Sequence, residues 1–245
     1  MKTSEALRRI NKYENDRRVL LEHELNVVAA GIPDLITERN VIKRELKMDY
    51  TIMKFGEVTE DTMHEIVSVI DCRCFPDEQH DPDYELALYR INKHALCVVH
   101  HDGKIIGYIE MLPLTEIACV ELAQGVFDVE MFKPEHIAKY NQGLTNITLY
   151  IRTLAVLPGN GEMTVFKRLI SEAAAFAVKL TDEGIKVDEF VAYFTNEKVE
   201  KILVRRGFVH KYASKNGLPI YSLPFEHIHK IIRGLECGHT KRYHK

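Results

Sequence analysis

The stretch Ile147–Ile170, ITLYIRTLAVLPGNGEMTVFKRLI, constrains the fold more than any other part of this chain. An apolar run of strand length stops at a Pro/Gly turn, Pro158-Gly159-Asn160-Gly161, and an amphipathic helix begins at once. A chain that makes this step belongs among folds that pack helices on a sheet. The first N–H groups of such a helix have no internal partner and carry partial positive charge. A loop that bares them can hold a pyrophosphate without any basic side chain. The same four residues also suit a plain strand-to-helix turn, and both readings stand at this point.

The pattern on either side extends the picture. Residues 4–29 carry Leu7, Ile10, Tyr13, Leu20, Leu21, Leu25 and Val28 at helical spacing, and Pro33 with Asp34 suits the start of a second helix ending near Met48. A charged helical hairpin over 1–48 is therefore expected, either as a packing appendage or as an arm for homodimerisation or partner binding. From Tyr50 the rhythm changes to a strand TIMKFGEV, a helix capped by Thr59 and running to about Cys74, and a helix from Pro82 to about Lys93.

ALCVVHH, Asp102-Gly103 and KIIGYIEMLPL then form the clearest hairpin, because Asp and Gly both tolerate positive φ. Residues 115–146 read as an irregular insertion of the kind that builds the rim of a site. Beyond the central strand Ile147–Leu157 the order is a helix from Glu162 to about Leu180, a strand Val187–Phe194 and a helix from Asn196 to Arg206. Strands from Phe208 and through IYSLPF follow, with a last helix over 225–235. The fold class expected is α/β (α+β): a mixed sheet with helices on both faces.

Charge and cysteine content exclude several functions. A net charge of -3 over 245 residues argues against nucleic acid and against a membrane surface. No apolar stretch approaches the ~20 residues that span a bilayer, and the start MKTSEALRRINKYENDRR is too polar for a signal peptide, so a cytoplasmic protein is expected. Five cysteines without a secretion signal read as free thiols. Cys72-x-Cys74 and Cys237-x-His239 lack the usual zinc spacing, and no metal is expected.

Three pieces in this order resemble the GNAT superfamily of acyl-CoA-dependent N-acetyltransferases: ALCVVHHDGKIIGYIEML, TLAVLPGNGEMTVFKRLI and VAYFTNEKVEKILVRRGFVHKY, the last with Asn196, Gly207 and Phe208 at matching positions. The resemblance covers about Tyr50 to Leu223, and makes 49–245 an acyltransferase domain with a mostly antiparallel sheet. It implies a sheet splayed between the Leu149–Leu157 and Val187–Phe194 strands, with the pantetheine of acetyl-CoA or another acyl-CoA in the gap. Backbone around Leu154, Ala155 and Val156 would bind the thioester. The loop and helix start at Gly161, Glu162, Met163, Thr164 and Val165 would bind the pyrophosphate, and Asn196 would complete the cofactor site.

The family's Arg/Gln-x-x-Gly-x-Gly/Ala loop is altered, with Glu162 and Thr164 at glycine positions and Phe166 at the Gly/Ala position. The tyrosine that protonates the departing thiolate in many members is Leu203 here, and the strand positions that often carry a base are Tyr150 and Arg152. Candidates to assist direct attack of an amine acceptor are Glu110, Tyr150 and Tyr193. Each also has a plainer reading, Glu110 as part of a solvated strand face and the tyrosines as residues at the core edge. Two functions follow: an acyl-CoA-dependent N-acyltransferase, or a catalytically inactive binding or regulatory module on the same fold.

Overall fold

The computed structural model describes residues 49–76, 81–129, 132–140, 144, 146–159 and 161–228. The N-terminal helical hairpin, the end of the 225–235 helix and the basic tail lie outside the described residues. Seven strands form one sheet: β1 (Tyr50–Met53), β2 (Leu96–His101), β3 (Lys104–Pro113), β4 (Asn146–Val156), β5 (Lys186–Tyr193), β6 (Val209–Ala213) and β7 (Pro219–Pro224). Their order across the sheet is β1-β2-β3-β4-β5-β7-β6. The β4–β5 pair is parallel and every other neighbouring pair is antiparallel. The parallel pair is the one that requires a crossover helix, which is the step read in Ile147–Ile170.

The β2–β3 hairpin turns at Asp102 and Gly103, with φ of 51° and 72°, as the Asp-Gly pair predicts. The first strand is shorter than TIMKFGEV suggests, because the chain leaves the sheet at Lys54 and turns through Phe55–Glu57. Thr59 caps the next helix by accepting from the Thr62 N–H. That helix, α1 (Glu60–Glu65), widens into a π-helical stretch, Ile66–Asp71, and closes at Cys72–Cys74. Such widening shifts the side-chain phase within a helix and is frequent at functional sites; here it ends on the buried Asp71.

Helix α2 (Pro82–Ile91) starts with Asp81 accepting from the N–H groups of Asp83 and Tyr84. Helix α4 (Glu162–Asp182) buries Val165, Phe166, Leu169, Ile170, Ala173, Ala177 and Leu180, spaced three and four apart along one stripe. Helix α5 (Glu197–Val204) is capped by Asn196. One expectation about the insertion needs correction. The insertion is not irregular throughout: it holds α3 (Glu116–Gln124), capped by the Thr115 hydroxyl and ended by Gly125 at φ 71°, and a 3-10 turn Pro134–His136. Phe166 does not crowd the loop but points into the core. The cysteines Cys72, Cys74, Cys97 and Cys119 are free thiols, and Cys237 lies outside the described residues.

The sheet is covered on both faces. One core joins Cys97, Ile109, Met111 and Leu149 to the buried stripe of α4. On the opposite face Met63, Ile66, Ile70, Leu86 and Tyr89 from α1 and α2 pack on Leu96, Val98, Tyr108 and Ala155. That face continues into a third cluster in which Phe127 and Phe132 of the insertion meet Leu112, Tyr150, Val191 and Ile220. Consequently β3 is buried over its whole length after Lys104. No helix among the described residues is long and apolar enough to cross a membrane.

Gly107 is the tightest point of β3. A Cβ there would stand 2.8 Å from the Ala155 carbonyl oxygen and 3.1 Å from a Val165 methyl carbon. Backbone cannot retreat as a flexible side chain does, so Gly107→Ala is expected to cost about 1–3 kcal/mol. A fall in the denaturation midpoint at unchanged m-value measures it.

Candidate active site

The β4–β5 ladder pairs Asn146 with Lys186 and runs only as far as Ile151 opposite Ala192. Beyond that point β4 stays bonded to β3 as far as Val156 opposite Gly107, while Tyr193 pairs with Ile220 of β7. The two central strands therefore part. A cavity of about 480 Å³ opens between them, walled by Ile151, Arg152, Thr153 and Leu154 on one side and by Ala192 to Asn196 on the other. Asp71, Phe75, Glu85, Tyr108, Val129 and Tyr150 extend the lining toward α1, α2 and the insertion.

A bulge marks the point of parting. In the β3–β4 register Glu110 faces Thr153 and Met111 faces Ile151, so Arg152 is the extra residue. It turns to the side of α2 and is held there by two carboxylates. Its Nη1 donates to Glu85 Oε2 at 2.6 Å and to Glu110 Oε2 at 2.7 Å, and its Nη2 donates to Glu85 Oε1. All three side chains are withdrawn from water, at 17% exposure for Arg152, 12% for Glu85 and 3% for Glu110. Tyr84 places its ring 5.9 Å from the guanidinium carbon, and its hydroxyl donates to the Phe132 carbonyl, tying α2 to the insertion. Next to this group the Tyr108 hydroxyl donates to Asp71 Oδ1 at 2.6 Å.

Two carboxylates share one cation, and the share is unequal. Glu85 receives both arms of the fork, whereas Glu110 receives one hydrogen bond and its Oε1 is buried without a partner. Burial pushes the Glu110 carboxyl up to about 7; Arg152 pulls the other way, and the charges of Glu85 and Asp71 push further up. Loss of hydration also raises the Tyr150 hydroxyl, and the Tyr108 hydroxyl is raised first by burial and then by the Asp71 charge. A carboxyl that gains and loses its proton near neutrality, beside a cavity, is suited to general base chemistry.

The residues singled out in the sequence separate into two groups. Tyr150, Tyr193, Leu154 and Asn196 line the cavity. Glu110 lies against it through Arg152 and is buried, so the reading of a solvated strand face is corrected: helices cover both faces of β3. The Tyr150 ring stacks on Phe132 with centroids 5.5 Å apart, and Phe127 meets it edge-on at 5.6 Å. Asn196 also spends its side-chain oxygen on the cap of α5, accepting from Lys198 and Val199 at 2.9 and 3.3 Å. Leu203, at the family's tyrosine position, lines the cavity. Ala155 packs under α1 and α2, and Val156 follows the strand to its end.

The second group, Gly161, Glu162, Met163, Thr164 and Val165, forms the start of α4. Gly161 takes φ 65° there, and its carbonyl accepts from the N–H groups of Thr164 and Val165 at 2.8 and 3.0 Å. Those two N–H groups are thus engaged within the helix. The Glu162 carboxylate folds back over the turn and accepts from the Gly159 N–H at 3.1 Å.

Asp71, Glu85 and Tyr108 were missed in the sequence. Glu85 had a signal: it stands three and four residues before Leu88 and Tyr89, both buried, which places a charge on the inward stripe of α2. Asp71 had none, since the π-helical stretch that re-aims it does not follow the regular helical period.

The raised Glu110 carboxyl has a sign that can be checked. The folded protein holds this proton more tightly than the unfolded chain, so its stabilising effect is complete below the usual carboxylate range and is lost as pH rises through about 7. Glu110→Gln, which stays neutral, is expected to gain stability relative to the wild type between about pH 5 and about pH 8. Denaturant titrations of both proteins at the two pH values test this, and a constant difference contradicts it.

No family model and no curated protein matches the sequence. Solved structures do match. The loading GNATL domain of CurA from Lyngbya majuscula superposes with a TM-score of 0.50 at 12% identity, over 73% of this chain and 99% of that one. An acetyltransferase of the GNAT family from Listeria monocytogenes 4b F2365 gives 0.47 at 13% identity, over 72% and 95%. The PaiA N-acetyltransferase from Thermoplasma acidophilum, in complex with coenzyme A, gives 0.41 at 14% identity, over 72% and 99%. With its parted central strands and mixed seven-stranded sheet, the chain has a GNAT-like fold.

Proposed function

We propose that this protein is an acyl-CoA-dependent N-acyltransferase that carries an acyl group, acetyl in the simplest case, from the thioester to an amine by direct attack. The observation that carries the reading is the cavity between β4 and β5, with Glu85 and Arg152 at its wall and Glu110 bonded behind Arg152. A parted strand pair leaves backbone groups of Leu154 to Val156 for a bound pantetheine arm, whose amides need such partners. The amine acceptor enters from the side of Tyr108 and Tyr150. Glu110 takes its proton, directly or through one water, and the freed nitrogen attacks the thioester carbonyl. A β4 N–H near Val156 holds the negative charge that develops on the carbonyl oxygen. With Leu203 unable to donate, Tyr193 in the same cavity is the hydroxyl proposed to return a proton to the departing thiolate.

Loading of the pyrophosphate requires the Glu162 carboxylate to leave the Gly159 N–H, since two anions repel at one donor set. Glu162→Ala is therefore expected to tighten acetyl-CoA binding several-fold, as read by calorimetry. Unchanged affinity means that the carboxylate does not compete.

That same contact favours a second reading, an inactive binding or regulatory module whose anion cradle is closed by its own side chain. Calorimetry with acetyl-CoA on the wild type separates the two, because absence of heat at about millimolar ligand (the top of the typical KM range) excludes the acyltransferase. In the active enzyme Glu110→Gln is expected to lower kcat about 10²–10⁴-fold and to abolish the ascending limb of kcat/KM near pH 7.

A further inference from the structure

Glu85 belongs to no strand of the splayed pair, yet it takes the larger part of the one cation at the site. It reaches from α2, and both of its oxygens are bonded to Arg152. Glu110, deeper by exposure, is left with one oxygen on Nη1 and the other without a partner. A single guanidinium neutralises one carboxylate fully and the second only in part, and planar two-point pairing is the stronger of the two contacts. Were Glu85 absent, the same fork could close on Glu110 and satisfy its orphaned oxygen.

We propose that Glu85 is a positioning residue that claims the fork of Arg152 and so preserves Glu110 as the carboxylate that accepts protons at this site. It acts through Arg152 and transfers no proton itself. The groups facing Glu110 agree with this division. Asp71 at the end of the π-helical stretch and Glu85 on α2 add negative charge, and Arg152 on β4 supplies the positive charge. The hydroxyls of Tyr84, Tyr108 and Tyr150 stay neutral, held up by their own burial. Removing the Glu85 charge both frees the guanidinium and deletes a repulsive neighbour, and the two effects lower the proton affinity of Glu110 in the same direction.

The inference builds on the acyltransferase reading only in its kinetic arm, so the experiment has a second readout. Full-length protein labelled with carboxyl-13C glutamate is titrated by NMR, the Glu110 resonance being the one lost in Glu110→Gln. In Glu85→Gln the Glu110 midpoint is expected to fall by about one pH unit or more, and the ascending limb of kcat/KM for acetyl-CoA to move down with it. A purely structural role for Glu85 would alter stability or KM and leave both midpoints in place. Should Glu85→Gln not fold, Glu85→Asp, which withdraws the carboxylate from the fork, is expected to give a smaller shift of the same sign. An unmoved midpoint in a folded variant overturns the proposal. A moved midpoint without acyl transfer upholds it and removes the acyltransferase reading instead.

Discussion

Everything at the site depends on β4 losing its β5 neighbour part-way along its length. From Leu149 to Ile151 its backbone is paired on both sides, and beyond the bulge at Arg152 only β3 remains. Backbone N–H and C=O groups that lose a strand partner must find water, side chains or a ligand, so the parting is at once a structural cost and a ready-made binding edge. The cost is tolerable because both faces of the sheet are packed elsewhere, by the long stripe of α4 on one side and by α1, α2 and the insertion on the other. The bulge at Arg152 falls where the second ladder ends. It changes which face that side chain meets and swings a cation toward α2.

The second constraint is electrostatic. Asp71, Glu85 and Glu110 bring three carboxyls to one wall, with Arg152 among them and Tyr108 hydrogen-bonded to Asp71. Ionic groups withdrawn from water are weak contributors to stability, because the lost hydration offsets the attraction, whereas breaking such a group is strongly destabilising. A well-packed apolar wall would have held α2 to the sheet at least as firmly. The aromatic cluster of Phe127, Phe132 and Tyr150 keeps that region dry and gives the insertion a firm seat on β4.

Legibility in the sequence followed the range of the interactions involved. The Asp102-Gly103 turn, the Thr59 cap and the stripe of α4 are decided within a few residues, and each stands where the pattern put it. Helix α3 was missed because its apolar residues lie all round: Ala118 and Leu122 are buried while Ile117 and Val120 are exposed, which erases the amphipathic period. Glu110 was misread for a related reason. Alternation along one strand tells which residues share a face, and what covers that face depends on elements far away in the chain.

The sequence by itself thus determined most of the order of elements and the strand-turn-helix step at Ile147–Ile170, because propensity, turn chemistry and period are local. Tertiary structure alone decided where β4 leaves β5, that the Glu162 carboxylate covers the Gly159 N–H, and that Glu85, Glu110 and Arg152 meet. Glu85 and Arg152 are 67 residues apart in the chain, and Glu110 and Arg152 are 42 apart. Their shared charge exists only once α2 has docked on the sheet and water has been driven from between them.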